Sequence, residues 1–198
     1  MKLDLECIKA RTGPVELDNW PRIFPARHRG TPTEAGFGTS RFSSPAKLFR
    51  TLYAARDFPT AFAEAVVRDR FVERQRRYLY RPHLEELVAT EISTTAALAL
   101  VDLSGAAAYE LGVDTDSKGA RSHLAGQRLA EALHKQTSVD GIIFSSRLTG
   151  EPAVAIFDRA FPRLSGTVAI DLVRVSALAD EITRLGIIVR RRAFPPAK

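Results

Sequence analysis

Over most of the chain, apolar and polar positions alternate in short runs separated by glycine and proline, and helical spacing takes over at only a few places. Leu48-Phe49-Arg50-Thr51-Leu52-Tyr53-Ala54 is rich in apolar and β-forming residues and predicts a strand. Asp57-Phe58-Pro59 then reads as a helix start, with Asp57 as cap and Pro59 in the first turn. That helix runs through Thr60 to Val67 with Phe62 and Val66 on one apolar face, and Glu64 is the single acid within it. Leu87 to Ile92 and Leu98 to Leu103 predict two more strands. Ser122 to Gln136 is the clearest amphipathic helix, with Leu124, Leu129 and Leu133 on its apolar side. Gly141 to Ser145 and Ala153 to Phe157 predict strands joined by the polar turn Arg147 to Glu151. Thr167 to Val175 predicts a further strand, Ser176 caps a short helix to Leu185, and Gly186 to Arg190 reads as a final strand.

Nearer the N-terminus the pattern is broken. Pro25, Gly30, Pro32, Gly36 and Gly38 punctuate the stretch from Arg22 to Phe42, which predicts a strand, a long irregular loop and a short strand at Thr39 to Phe42. A loop of that length in a compact domain is usually functional or disordered. The first 19 residues lack strong periodicity and read as a peripheral lead-in to a single domain over residues 20–192, with 193–198 as a tail. Strands interspersed with helices without a βαβ rhythm predict an α+β fold, a mixed central sheet with flanking helices.

Composition narrows the class. The 198 residues are 45% hydrophobic and 26% charged, which excludes collagen-like, low-complexity and wholly disordered chains. A chain of this size buries roughly 70% of its unfolded surface and needs no metal or disulfide staple. The single cysteine, Cys7, fits a reducing compartment, and no apolar run approaches the roughly 20 residues that span a bilayer. The expectation is a soluble, cytoplasmic protein away from membranes.

The net charge of +6 and pI near 9.8 attract anions: nucleic acid, acidic protein surfaces or phosphorylated small molecules. Part of the excess lies between Arg68 and Arg81 and part in Arg190-Arg191-Arg192. Phe71, Tyr78 and Tyr80 lie among the first group, so a basic nucleic-acid-binding module is one reading; solvated arginines are the plainer one. Several motifs fail. Gly36-Phe37-Gly38 lacks the third glycine of a dinucleotide fingerprint, no Walker-type Gly-Lys-Ser/Thr exists, and no histidine pair has metal-ligand spacing.

Four segments carry distinctive chemistry when read in order. They are Arg22-Ile23-Phe24, then Gly38-Thr39-Ser40-Arg41-Phe42-Ser43, then Thr51-Leu52-Tyr53 leading into Thr60 to Glu64, and finally Asp140 to Arg147 followed by Ala155 to Asp158. In this order, from about Arg22 to Phe161, the chain resembles the RES-domain family, named for its arginine, glutamate and serine. The resemblance implies a fold similar to the ADP-ribosyltransferases and degradation of NAD+, by phosphorolysis to nicotinamide and ADP-ribose 1″-phosphate or by hydrolysis. It also implies the role of a toxin held inactive by an Xre-like helix-turn-helix antitoxin, with homodimerisation a further option. Arg22 and Arg41 match the family's two arginines, Tyr53 its tyrosine, Glu64 its glutamate and Ser146 its serine, with Ser145 the alternative one residue earlier. Phe24 and Phe144 depart from the pattern, standing where relatives often have histidine and tyrosine.

The residue types suit that chemistry. Cleaving the nicotinamide–ribose bond builds positive charge on the ribose, comparable to the transition state of glycosidases. A carboxylate such as Glu64 stabilises this charge. Nicotinamide leaves as a neutral group, so no strong general acid is required. Planar guanidiniums such as Arg22 and Arg41 bind a diphosphate and an attacking phosphate in bidentate fashion. Tyr53 suits stacking on nicotinamide or bonding a ribose, and Ser145 or Ser146 suits positioning the ribose or the incoming phosphate. NAD+ would then be a substrate, with inorganic phosphate as co-substrate and no resident cofactor or metal. Transfer of ADP-ribose to a macromolecule is the alternative.

Overall fold

The structure, a computed structural model, describes residues 1–68, 70–71, 73–105 and 123–191. Asp69, Ser122, Arg192 and the tail 193–198 lie outside the described residues. In chain order the first elements are α1 (Leu5–Ala10), β1 (Thr12–Val15), β2 (Trp20–Pro25), β3 (Thr51–Ala55) and α2 (Phe58–Phe62). A π-helical turn (Ala63–Val67) continues α2, followed by β4 (Arg77–Tyr80), α3 (Arg81–Glu85), β5 (Leu87–Thr94) and β6 (Leu98–Asp102). The chain then forms α4 (Leu124–Gln136), β7 (Gly141–Ser145), β8 (Pro152–Phe157), β9 (Leu164–Gly166) and β10 (Ile170–Asp171). It ends in α5 (Ala177–Arg184) and β11 (Ile187–Arg190).

The central sheet has the order β1-β6-β7-β8-β3 and is mixed: β6 and β7 run parallel, the other pairs antiparallel. A second sheet, β10-β5-β2 with β9 also on β5, is antiparallel, and β4 and β11 form a parallel pair. This is the expected α+β fold with a mixed central sheet and flanking helices. Period-two alternation explains how the layers stack. On β3 and β8, Ala55, Ala153, Ala155 and Phe157 face the core under α4, with Phe49, Leu129, Leu133 and Ile142. Their neighbours Leu52, Ala54, Val154 and Ile156 face the other way, against Trp20 and Ile92 of the second sheet. A third cluster joins Phe62, Val66, Leu79, Leu84, Leu178 and Ile187. Among the described residues no helix is long and apolar enough to cross a membrane.

Three expectations are corrected, and one strand went unforeseen. The first 19 residues, expected as a peripheral lead-in without regular structure, form elements packed on the domain: Asp4 caps α1, β1 pairs with β6 from Thr12↔Val101 to Val15↔Leu98, and Leu3, Ile8 and Leu17 are buried. Gly13 and Pro14 disguise β1, yet a proline is tolerated on the edge strand that β1 forms. Thr39 to Phe42 forms turns rather than a strand, because side chains take up its backbone groups, as described below. Thr167 to Val175 is not one strand but the two-residue β10 followed by a 3-10 turn over Leu172–Arg174. Finally, β4 was hidden among arginines; only Leu79 of its four residues is fully buried.

Candidate active site

Glu64 is placed by α2. The Asp57 carboxylate accepts the Thr60 N–H at 2.8 Å and Pro59 occupies the first turn, so the helix starts where capping chemistry requires. After Phe62 the helix widens, and the Arg68 N–H closes the π-turn on the Ala63 carbonyl at 2.8 Å. Phe62 and Val66 stay in the core while Glu64 and Arg68 face a cleft. Such π-turns are frequent at functional sites. Arg68 stands at φ 39° and ψ −126°, a conformation a non-glycine residue adopts at a cost of about 1–3 kcal/mol.

Ser146 begins the turn after β7. Its N–H donates to the Glu151 carbonyl at 2.8 Å, and its carbonyl accepts the Gly150 N–H at 2.9 Å. The Ser146 hydroxyl, in a residue only 3% exposed, donates to Glu64 Oε1 at 2.7 Å and accepts the Leu148 N–H at 3.2 Å. One helical turn earlier, the hydroxyls of Thr60 and Thr149 lie 2.9 Å apart. Two contacts therefore fasten this turn to α2, and one of them aims the carboxylate.

Arg41 sits on a loop gripped from two sides. From β3, the Tyr53 hydroxyl accepts the Phe42 N–H at 2.9 Å, and the Thr51 hydroxyl donates to the Phe42 carbonyl at 3.1 Å. From α4, Gln127 Nε2 donates to the Ser40 and Thr39 carbonyls at 3.1 and 3.3 Å. Glu131 accepts from the Ser44 hydroxyl at 2.6 Å and the Ala46 N–H at 3.1 Å. Gly126 lies so close that a Cβ there would stand 2.6 Å from the Arg41 carbonyl oxygen. The backbone groups that a strand would have paired are thus consumed locally.

Arg22 occupies an inward position of β2, where period-two alternation calls for an apolar residue like its neighbours Trp20 and Phe24. It is 7% exposed, donates to the Pro32 carbonyl and lies 4.4 Å above the Phe24 ring. Burial pushes its guanidinium down to about 10, still charged at neutral pH. Arg41 is lowered as well, first by burial and then by nearby Arg147, with Glu64 and Tyr53 opposing. Its Nε is buried with no hydrogen-bond partner, and the guanidinium lies near the rings of Phe42 and Phe144, at 5.0 and 6.0 Å. Phe24 and Phe144, the two departures noted above, therefore serve as platforms under guanidiniums. Among the described residues neither arginine forms an ion pair. Burial pushes the Tyr53 phenol up to about 12, so it stays protonated.

These groups meet in one cleft of about 660 Å³ between β2, β3, the loop to Arg41 and the π-turn. That is the size of a small-molecule site. Arg22, Arg41, Tyr53, Glu64 and Phe144 all line it. Ser146 lies behind Glu64 rather than in the lining, and Ser145 ends β7 opposite Pro152. Sequence reasoning missed Arg68 as a cleft residue, having placed it in a basic surface stretch. It also missed the Gly126, Gln127 and Glu131 grip; a glycine inside an amphipathic helix was the available signal. Chemically, the cleft offers one oriented carboxylate, Glu64, within electrostatic reach of Arg41, while neither Arg22 nor Arg41 forms an ion pair among the described residues.

Over 84 residues the chain is 37% identical to the "Probable toxin y4kH" of Sinorhizobium fredii, which is 41% of this chain and 65% of that protein. The match thus spans a little under two thirds of that relative. The fold is similar to one chain of the M. tuberculosis MbcT–MbcA toxin–antitoxin complex, with a TM-score of 0.64 at 18% identity over 84% of this chain and 90% of the other. The RES domain model matches residues 18–177, a span that contains the whole cleft, and the chain accordingly belongs to the RES-domain family.

Proposed function

We propose that this protein cleaves the nicotinamide–ribose bond of NAD+, transferring ADP-ribose to phosphate or water, and that it acts as the toxin of a toxin–antitoxin pair. The observation that carries the reading is Glu64, held by Ser146 in a cleft with one buried guanidinium, Arg22, and one half-buried, Arg41, neither of them in an ion pair among the described residues. Charge withdrawn from water without an ion-pair partner is costly, so the buried Arg22, and the half-buried Arg41 with it, call for an anionic ligand. The NAD+ diphosphate satisfies both, and their planar donors match its oxygens. Its nicotinamide ribose then lies where Glu64 stabilises the positive charge that grows as the C–N bond breaks. The bond's electron pair stays on the ring nitrogen, so nicotinamide departs neutral without a proton donor.

In this reading NAD+ is substrate, no resident cofactor takes part, and Ser146 acts through Glu64. The names of the two relatives support the toxin role and a partner antitoxin, for which an Xre-type helix-turn-helix protein is the proposed class. The test is a time course of the purified protein with NAD+, with and without inorganic phosphate, following nicotinamide release and phosphorus NMR. Loss of NAD+ that disappears in Glu64→Ala is expected. No loss from a folded, antitoxin-free protein would overturn the activity.

A further inference from the structure

We propose that Arg68 binds the acceptor of this reaction and selects an anion, inorganic phosphate, over water. The inference rests on the NAD+-cleaving reading and assigns a role to a residue outside the arginine, glutamate and serine pattern. Four arginines line the cleft, Arg22, Arg27, Arg41 and Arg68, against two carboxylates, Glu34 and Glu64. A diphosphate carries two negative charges and the nicotinamide ring one positive, so the bound substrate leaves positive charge unmatched. A second anion completes the balance.

Its place follows from the π-turn. Arg68 lies one turn beyond Glu64, at the end of the same widened helix, and both face the cleft. An anionic acceptor reaching a ribose guarded by a carboxylate is repelled unless cations flank its path. Arg41 and Arg68 are both close enough to Tyr53 to act electrostatically on its hydroxyl, which brings them to the same part of the cleft. Among the described residues Arg68 has no carboxylate partner. Its backbone also stands where glycine would sit without strain, yet an arginine stands there. The strained turn thus presents a guanidinium to the cleft that Glu64 also lines.

The step balances without a general base. A lone pair on an oxygen of hydrogen phosphate forms the C–O bond as the C–N bond breaks, the C–N pair remains on nicotinamide, and the proton stays on the phosphoryl group. Water, by contrast, must shed a proton after attack. The test compares wild type, Arg68→Gln and Arg68→Lys in NAD+ cleavage. It measures KM for inorganic phosphate, KM for NAD+, and the ratio of ADP-ribose 1″-phosphate to ADP-ribose by phosphorus NMR. Arg68→Gln should raise the phosphate KM at least about tenfold more than the NAD+ KM and shift product toward ADP-ribose, because a charge-assisted pair is lost. Arg68→Lys should recover part of the loss. Arg68→Gly should raise Tm by relieving the backbone while showing the same defect in phosphate use.

An unaltered phosphate KM and product ratio in Arg68→Gln would overturn the inference and leave the proposed function standing. Wild-type cleavage indifferent to phosphate would do the same. Absence of any NAD+ cleavage in wild type would instead remove the proposed function, and this inference with it.

Discussion

Replacing Gly126 by alanine should destabilise the protein although alanine is the better helix former. In an unobstructed helix interior the exchange gains about 0.5–1 kcal/mol. Here the new Cβ would stand 2.6 Å from the Arg41 carbonyl oxygen, 2.9 Å from Arg41 Cγ and 3.4 Å from Phe42 Cε1. Reaching ordinary contact with the carbonyl requires α4 and the loop to separate by about 0.8 Å. The loop cannot yield freely, since Gln127, Glu131 and the Tyr53 hydroxyl all hold it. Overpacking of this kind costs about 1–3 kcal/mol. The net loss is about 1–2 kcal/mol, a fall in Tm of about 2–8 °C at this chain length. Displacing the Arg41 backbone should also raise the KM for NAD+ several-fold while kcat falls less, since Glu64 is held from elsewhere. Urea and thermal unfolding give the first quantity and steady-state kinetics the second. A higher Tm with unchanged kinetics would refute the grip of α4 on the arginine loop.

Ser146→Ala removes the 2.7 Å donor to Glu64, and a hydrogen bond to a charged group is worth about 1.5–3 kcal/mol. A fall in kcat of about 10–100-fold with an unchanged circular dichroism spectrum is expected, and undiminished turnover would show that Glu64 needs no such support. Tyr53→Phe deprives the Phe42 N–H of its acceptor and should cost about 1–3 kcal/mol in denaturant unfolding. With the folded phenol pushed up to about 12, the unfolded chain releases its proton first, near the ordinary value of 10.0. The stability Tyr53 contributes is therefore complete below pH 10 and is lost as pH rises toward 12. The gap between wild type and Tyr53→Phe should narrow over that window; a constant gap would contradict burial of the phenol.

Several features were legible because they are local. The Asp57 cap with Pro59 announced α2, the apolar, β-forming run announced β3, and Leu129 and Leu133 announced the buried face of α4, whereas Leu124, read with them, is exposed. The order of Arg22, Arg41, Tyr53, Glu64 and Ser146 pointed to the family, and the fold brings four of these to the cleft with Ser146 directly behind Glu64. The π-turn was less legible: helical spacing predicts an apolar face but not the extra residue in the turn that ends at Arg68, which lines the cleft with Glu64.

By itself the sequence determined what capping, periodicity and side-chain chemistry determine: where α2 and α4 lie, which strands have a buried face, and that a carboxylate and two arginines recur in a family pattern. Only the tertiary structure decided that β1 joins the central sheet through Thr12↔Val101 and that β4 pairs with β11 through Ile187↔Arg77. It also decided that α4 grips the Arg41 loop, and that Ser146 rather than Ser145 meets Glu64. The physical reason is common to all four. Each depends on hydrogen bonds or close packing between segments far apart in the chain, and strands of four residues or a turn of two serines are too short for any local period to reveal their partners.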